Sequence, residues 1–453
     1  MQGRKYAGCS WYLLLKDIFE DFGLLPCPAE LALFSFFDGP DEITLVTSTD
    51  DFLISSSSDS LFARLCEHIR RFVPITIQDG SVIKYLNVRI IQTELGISID
   101  QTHHIRTSIL DNWFKPTKTE RLKSADTPYR TDSQYEKDLQ EQLPATGTQL
   151  AKLEKDHGGK FNALIGQFLH IEQVTRFELG FPVTRLAQYN AAPNAASFAG
   201  LKRIARFLAT HPHTPIFYPS TVKLTMHQTI RFEVEPGKFI EQLISNIREM
   251  YVDADHARDI KTRKSVSCVL SAVCGVLIHW HMGKQSCVAA HSTDAEIRAY
   301  FTAVQINKYL RMVDDFMRMG NQGPTVIYED NAPAIAIMEA GHITGRVKHI
   351  AVPTQMIYED IKLGNNKPKK IDGRLNTADI GTKPLPSSTL HRLMRQGRGQ
   401  RFYPSPNTEH GKLMQVELVN QRIDEFSNDK AATLIDYHAN KNIGAVYDDK
   451  GEA

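Results

Sequence analysis

Apolar residues recur at helical spacing through Trp11, Leu14, Leu15, Ile18 and Phe19, which predicts a helix over residues 1–22. Alternation follows. Glu42-Ile-Thr-Leu-Val-Thr runs into Ser48-Thr-Asp-Asp, and Phe52-Leu-Ile-Ser leads out, the pattern of a hairpin. Leu61, Leu65, Ile69 and Phe72 restore the helical period over 59–72. A second hairpin is predicted from Ile83-Lys-Tyr-Leu-Asn-Val-Arg-Ile-Ile, a turn at Gly96, and Ile97-Ser-Ile. Residues 115–160 are polar and poor in large aliphatics. Pro116, Pro128, Pro144, Gly147, Gly158 and Gly159 punctuate them, so a polar linker is expected there. Residues 161–210 read as helical, and Pro212, Pro215 and Pro219 then interrupt. Residues 220–246 fit no pattern that can be named.

A new unit begins at Glu249. Met250-Tyr-Val-Asp is a predicted strand, and Ser265 to Met282 is β-rich with Cys274-Gly275 as its turn. Asp294 to Met312 is a long amphipathic helix. Thr325-Val-Ile-Tyr is a strand, Asn331 to Glu339 a helix, and 351–363 another helix. Lys369-Lys-Ile-Asp is a last short strand, and a helix should start near Asn376. Strands interleaved with helices in this order describe an α/β domain. After Phe402 the chain turns polar, and its end from Tyr447 to Ala453 is expected to fray.

Composition narrows the function classes. The 453 residues suffice for two or three domains, and 42% hydrophobic with 23% charged residues is an ordinary globular mixture. A formal net charge of +1 excludes a globally basic nucleic-acid binder, so phosphate contacts would come from local patches. Cys9, Cys27, Cys66, Cys268, Cys274 and Cys287 show no metal-ligand spacing, which argues for free thiols in a reducing compartment. Lys16 and Asp17 end the apolar run Trp11 to Leu15 before it reaches signal-peptide length, and no run is long enough for a transmembrane helix. The expectation is an intracellular protein without a membrane partner.

Four acidic positions stand at the ends of predicted elements. Asp253 closes a strand, Glu296 lies in the first turn of a helix, Asp330 ends the next strand, and Asp379 stands at the start of the last helix. Strand ends are where side chains converge in an α/β domain. Converging carboxylates repel and are costly to bury, and divalent cations remove that cost. Hard oxygen ligands suit Mg²⁺ or Mn²⁺, and two such ions about 3.5–4 Å apart can activate a water at a phosphodiester. Each residue also has a plainer role. Thr293-Asp-Ala-Glu296 has the form of a capping box. Asp330 and Asp379 suit helix N-termini. Alternation places Asp253 and Asp255 on one face and does not choose between them.

Tyr251-Val-Asp-Ala-Asp with Lys261-Thr-Arg-Lys-Ser-Val-Ser resembles the opening of a copia-type ribonuclease H domain. Val288-Ala-Ala-His-Ser-Thr-Asp-Ala-Glu296 is similar to that family's "ALSSTEAEY". Tyr328-Glu-Asp-Asn-Ala-Pro-Ala resembles "CDNQSA", Val347-Lys-His-Ile resembles "TKHID", and Asn376-Thr-Ala-Asp-Ile-Gly-Thr-Lys-Pro-Leu resembles "ADIFTKPL". The resemblance implies a ribonuclease H-like fold over 247–400, a five-stranded mixed sheet with flanking helices. It also implies hydrolysis of RNA in RNA–DNA hybrids with two Mg²⁺ or Mn²⁺ ions on Asp253, Glu296, Asp330 and Asp379. The chain departs from the family at Ile297, Ala351 and Pro353, where the family has Tyr, Asp and Arg. His349 is expected to pack or cap locally.

The upstream half resembles reverse transcriptase. Gly3-Arg-Lys-Tyr-Ala-Gly-Cys-Ser-Trp-Tyr is similar to "YGLKQAGRAWY", Ser48-Thr-Asp50-Asp51 stands where the family has "YVDD", and Leu201-Lys-Arg-Ile-Ala-Arg-Phe-Leu resembles "LKRVLRYL". This implies an incomplete polymerase palm over 1–114, a helical thumb- or connection-like segment over 161–246, and a C-terminal tail over 401–453. The further metal-binding Asp that the family places upstream is not in this sequence, so Asp50 and Asp51 are expected as a relic pair without polymerase activity. Lys367, Lys369, Lys370 and Arg374, and the run His391, Arg392, Arg395, Arg398 and Arg401, are candidate phosphate contacts or a solvated basic face. Trp280 and Tyr328 are expected in the core. An RNA–DNA hybrid is the expected partner, with other retroelement Pol or Gag products as further candidates. The second reading is a decayed or repurposed remnant that binds nucleic acid or protein without cutting.

Overall fold

The computed structural model describes residues 7–111, 124–220, 228–235, 238–244, 248–259, 261–319, 323–341, 345–400 and 403–415. The chain forms two compact units, Met1–Tyr85 with Val304–Gly323, and Leu86–Ala303 with Pro324–Ala453.

In the first unit, α1 (Ala7–Phe22) is followed by an antiparallel sheet in the order β1 (Leu25–Pro26), β2 (Leu33–Asp38), β3 (Asp41–Ser48) and β4 (Asp51–Ser56). Helix α2 (Asp59–Arg70) begins at Ser58, whose side chain accepts from the Leu61 amide. The apolar stripe of α1 supplies Leu15, Ile18 and Phe19 to a core shared with Phe34, Ile43, Leu45, Leu61, Leu65 and Ile69. Both predicted helices and the hairpin are present. Strand β2 was not anticipated, because its first three residues are all buried and its pattern does not alternate.

Strand β5 (Val82–Tyr85) closes the first stretch of the first unit, and the second unit opens with the hairpin β6 (Val88–Thr93) and β7 (Gly96–Asp100), to which β8 (Ile216–Pro219) adds antiparallel at β7. Two helices, α3 (Ser133–Glu141) and α4 (Gly147–Asp156), lie within the stretch read as a polar linker. Tyr135 and Leu139 of α3 are buried. Two apolar side chains one turn apart suffice to dock a short helix, and composition averaged over 115–160 hides them. Helices α5 (Phe161–Val174), α6 (Gly180–Ala187) and α7 (Ala195–Thr210) follow. The unnamed stretch 220–246 contains an antiparallel pair, β9 (Gln228–Glu235) and β10 (Lys238–Ile244).

The remaining strands form a mixed five-stranded sheet in the order β13-β12-β11-β14-β15, which is the sheet that the resemblance implied. Strands β11 (Glu249–Ala254), β12 (Val266–Val273) and β13 (Val276–Lys284) are antiparallel neighbours. Strands β14 (Thr325–Glu329) and β15 (Asn366–Lys370) run parallel to β11. The turn between β12 and β13 is Cys274-Gly275, both at positive φ (55° and 73°), the backbone that a two-residue hairpin requires. Helices α8 (Ser292–Phe316), α9 (Ala332–Ala340), α10 (Ala351–Lys362) and α11 (Ser387–Gly397) accompany it. The helix expected near Asn376 is instead a single 3-10 turn, Thr377–Gly381. Pro384 and Pro386 break the chain before α11 starts.

One core joins the sheet to the helices before it. Phe161, Phe168, Phe177, Phe181 and Leu201 cluster with Tyr251, Cys268, Leu270, Leu277, Tyr328 and Leu375. Trp280 donates to the Glu172 carbonyl at 2.8 Å. A Cβ on Gly180 would overlap the Met282 sulfur at 1.5 Å, so α6 lies directly on β13. The chain after α11 is also anchored, since the buried His410 ring bonds Thr93 Oγ1 (2.8 Å) and Ser98 Oγ (3.1 Å). Among the described residues no helix is long and apolar enough to cross a membrane.

Candidate metal centre

Backbone register builds the centre. In the parallel pair, Tyr251 of β11 lies opposite Tyr328 of β14, and their rings stack at 5.1 Å. Asp253 and Asp330 are each two residues further on, so two carboxylates arrive side by side at the same end of neighbouring strands. The 3-10 turn adds Asp379. Asn376 ties that turn to β11 by donating to the Val252 carbonyl at 2.8 Å. Ligand oxygens of Asp253, Asp330 and Asp379 all lie within 4.8 Å of one another.

A second group shares Asp330. Oxygens of Glu296, Glu329 and Asp330 also lie within 4.8 Å of one another. Glu296 comes from the first turn of α8, which covers the opposite sheet face through Ala295 and Ala299 against Ala254. Glu329 follows Tyr328 by one residue on β14 and so points to the face opposite the Tyr251–Tyr328 stack, while Asp330, just past the strand end, reaches both groups. All four acids expected from the sequence are therefore brought together, and Glu329 makes a fifth. Its position, one residue before Asp330, was legible, but alternation points it away from the Asp253 face.

Lys383 bridges the first group, donating to Asp379 at 2.5 Å and to Asp253 at 3.2 Å. The Thr382 hydroxyl donates to the other oxygen of Asp253. Burial raises the Asp253 carboxyl above its ordinary range, against the pull of Lys383. Burial and then the Asp253 charge raise Asp379. Burial and then the Glu329 charge raise Glu296 strongly, and burial with the charges of Asp330 and Asp253 raises Glu329 against the pull of the Asn331 amide. Burial alone would lower the Lys383 ammonium, but Asp253 and Asp379 outweigh it and hold the group charged. Glu296 Oε2 and Glu329 Oε2 have no hydrogen-bond partner. Buried, unpartnered carboxylate oxygens pointing at one another fit a hard divalent cation.

Other expected residues fall as follows. Asp255 is not part of either group, because its carboxylate accepts from the Val266 amide at 2.6 Å. The Thr293–Glu296 capping box is replaced by Asp294, which accepts from the Ala290 amide at 2.8 Å and from His349 Nε2 at 3.1 Å. His349 is thus engaged locally. Ile297 is buried in the core, and Ala351 and Pro353 stand in the first turn of α10. Lys367, Lys369 and Lys370 are exposed on the edge strand β15, and Arg374 pairs with Asp372 at 2.8 Å. Arg392 donates to the Arg374 carbonyl at 2.6 Å, and Arg395 is exposed. Arg398 is no surface cation. It is 3% exposed, paired with the buried Glu178 and donating to the Thr214 carbonyl, so it belongs to the core. Arg401 lies outside the described residues. Asp50 and Asp51 are exposed at the β3–β4 turn, and neither belongs to a metal-capable acidic group among the described residues.

The chain is 24% identical over 392 residues to the "Retrovirus-related Pol polyprotein from transposon RE1" of Arabidopsis thaliana. It is 23% identical over 396 residues to the corresponding polyprotein from transposon RE2 of the same plant, and 23% identical over 392 residues to that from transposon TNT 1-94 of Nicotiana tabacum. The chain is a relative of transposon Pol polyproteins. That is the relationship the motifs implied. The matches cover 85%, 87% and 85% of this chain but 24%, 24% and 27% of the relatives, so the chain spans about a quarter of their length. No protein-family model matches the chain.

Proposed function

We propose that the five-stranded sheet carries a ribonuclease H-type site of retrotransposon origin, which cleaves the RNA strand of RNA–DNA hybrids with Mg²⁺ or Mn²⁺. The observation that carries this reading is the convergence of Asp253, Asp330, Asp379 and Glu296 at the paired ends of β11 and β14. The same four residues match the acidic positions of the copia-type motifs.

Asp253, Asp330 and Asp379 would hold one ion, and Glu296 with Asp330 a second. Bound there, the ions would supply an activated water and charge stabilisation for the leaving oxygen. Lys383 places one positive charge between Asp253 and Asp379. Thr382 fixes the rotamer of Asp253 by occupying one of its oxygens. Lys367, Lys369 and Lys370 form an exposed basic row along β15, the kind of surface that tracks a phosphate backbone.

A cleavage assay with labelled RNA–DNA hybrid in Mg²⁺ or Mn²⁺ tests the proposal. Wild type should cut the RNA strand. Asp253→Asn and Glu296→Gln should each lower the rate by about a hundredfold or more while circular dichroism stays unchanged. A folded wild-type protein that cuts nothing in either metal sinks the nuclease reading. Retained hybrid binding in that case would establish a binding remnant, the reading favoured by the lost Asp and Arg at Ala351 and Pro353.

We also propose that this chain does not polymerise DNA. Asp50 and Asp51 stand on an exposed turn outside any metal-capable group among the described residues, and two adjacent carboxylates do not orient two ions against a triphosphate and a primer end. Template-dependent extension of a primer by the purified protein would refute this.

A further inference from the structure

We propose that Glu329, outside the expected quartet, is a protein ligand of the cation position formed with Glu296 and Asp330, and that this position fills first, before any nucleic acid arrives. The inference rests on the metal-centre reading above and deepens it.

Glu329 is 0% exposed and Glu296 is 6% exposed, and each keeps its Oε2 without a hydrogen-bond partner. The Asn331 amide occupies the other oxygen of Glu329 at 2.8 Å, which pins the carboxylate and leaves its second oxygen to the acidic group. Asp360, equally buried, shows what a structural acid looks like in this domain. Asn365 and Asn366 side chains donate to its two oxygens at 2.9 and 2.6 Å. An acid kept for packing carries donors, because an unpartnered buried carboxylate is among the costliest groups a fold can contain. Glu329 and Glu296 lack that satisfaction at the point where their oxygens meet Asp330.

The two cation positions differ in what already occupies them. At Asp253, Asp330 and Asp379, an entering ion meets the Lys383 ammonium and the Thr382 hydroxyl. At Glu296, Glu329 and Asp330 it meets three carboxyl groups, and no residue of the chain has to be moved off the Oε2 atoms of the two glutamates. Three hard oxygen ligands favour a divalent ion there, which takes the place of the protons that burial and repulsion hold on Glu296 and Glu329. Since Asp330 serves both positions, occupancy of the second also lowers the repulsion that the first must overcome.

Mn²⁺ titration of the full chain without nucleic acid, followed by calorimetry and by the electron paramagnetic resonance signal of free Mn²⁺, tests this. Wild type should take up one ion tightly and one weakly. Glu329→Gln should weaken the tight step by about tenfold or more, and Asp379→Asn should leave the tight step in place while removing the weak one. Wild-type Mn²⁺ affinity in a folded Glu329→Gln protein overturns the assignment. Should Glu329→Gln not fold, Glu329→Asp, which keeps the charge with a shorter reach, must show a weakened tight step, and an unchanged one overturns the assignment equally. If wild type binds Mn²⁺ and cuts hybrid but neither Glu329 variant alters uptake, the Glu329 inference alone falls. A folded wild type that takes up no Mn²⁺ removes both this inference and the metal-centre reading.

Discussion

Lys383 carries a balancing charge that the ion-free centre needs. Its ammonium bonds Asp253 and Asp379, and the side chain is 39% exposed, so solvent screens part of the attraction. Lys383→Met should destabilise the protein in chelator by roughly 1–3 kcal/mol. Added Mg²⁺ should restore most of that loss, which thermal melts with and without the ion would show. No restoration would mean that Lys383 acts through packing. Glu172 makes a cleaner pH probe, because it is remote from the four expected acids in sequence. Burial, and then the Glu178 charge, push its carboxyl from 4.5 up to about 8. The folded state therefore holds a proton that the unfolded chain releases. The stability is fully present below the unfolded value of 4.5 and is lost as pH rises through about 8. Glu172→Gln should flatten this fall and raise stability at pH 8.5 by roughly 1–2 kcal/mol, read from denaturant melts across the range.

Elements set where the acids end, and the close approach of the 3-10 turn to the sheet is part of that. A Cβ on Gly381 would sit 2.5 Å from Cys268 Sγ and 2.9 Å from its Cβ. Gly381→Ala should therefore push the turn outward and displace Thr382 and Lys383 from Asp253. We expect a loss of about 2 kcal/mol together with slower hybrid cleavage, checked by melts and by the same assay. At this scale the sequence was readable where a period was clean. The stripe Leu15, Ile18 and Phe19, the hairpin around Ser48–Asp51, and the strands flanking Cys274-Gly275 all stand as their patterns imply. Reading failed where burial was two-sided, as in β2, or where few apolar residues sufficed, as in α3. The acidic quartet was legible because motif order and strand ends agreed. Glu329 was not, since alternation assigns it to the face opposite Asp253, and only the arrival of α8 on that face brings Glu296 to meet it. Arg398 looked like one more cation in a basic run, and nothing in its neighbours reveals the buried Glu178 it pairs with.

For the whole molecule, the five-stranded sheet is not self-sufficient. Its core continues into Phe161, Phe168, Phe181 and Leu201, and Arg176 and Arg398 meet on Glu178 beneath it. A fragment limited to 247–400 should expose this surface and give poorly dispersed amide resonances, whereas a chain retaining residues 86–415 keeps the helices and the His410 anchor. Well-dispersed spectra from the shorter piece would contradict the shared core. The first unit is assembled from Met1–Tyr85 and Val304–Gly323, two stretches separated in sequence by Leu86–Ala303 of the second. No single scissile bond can therefore part the two units without leaving a piece of one on the other. Any gene rearrangement that inherits one of them whole and nothing of the other must splice at two places.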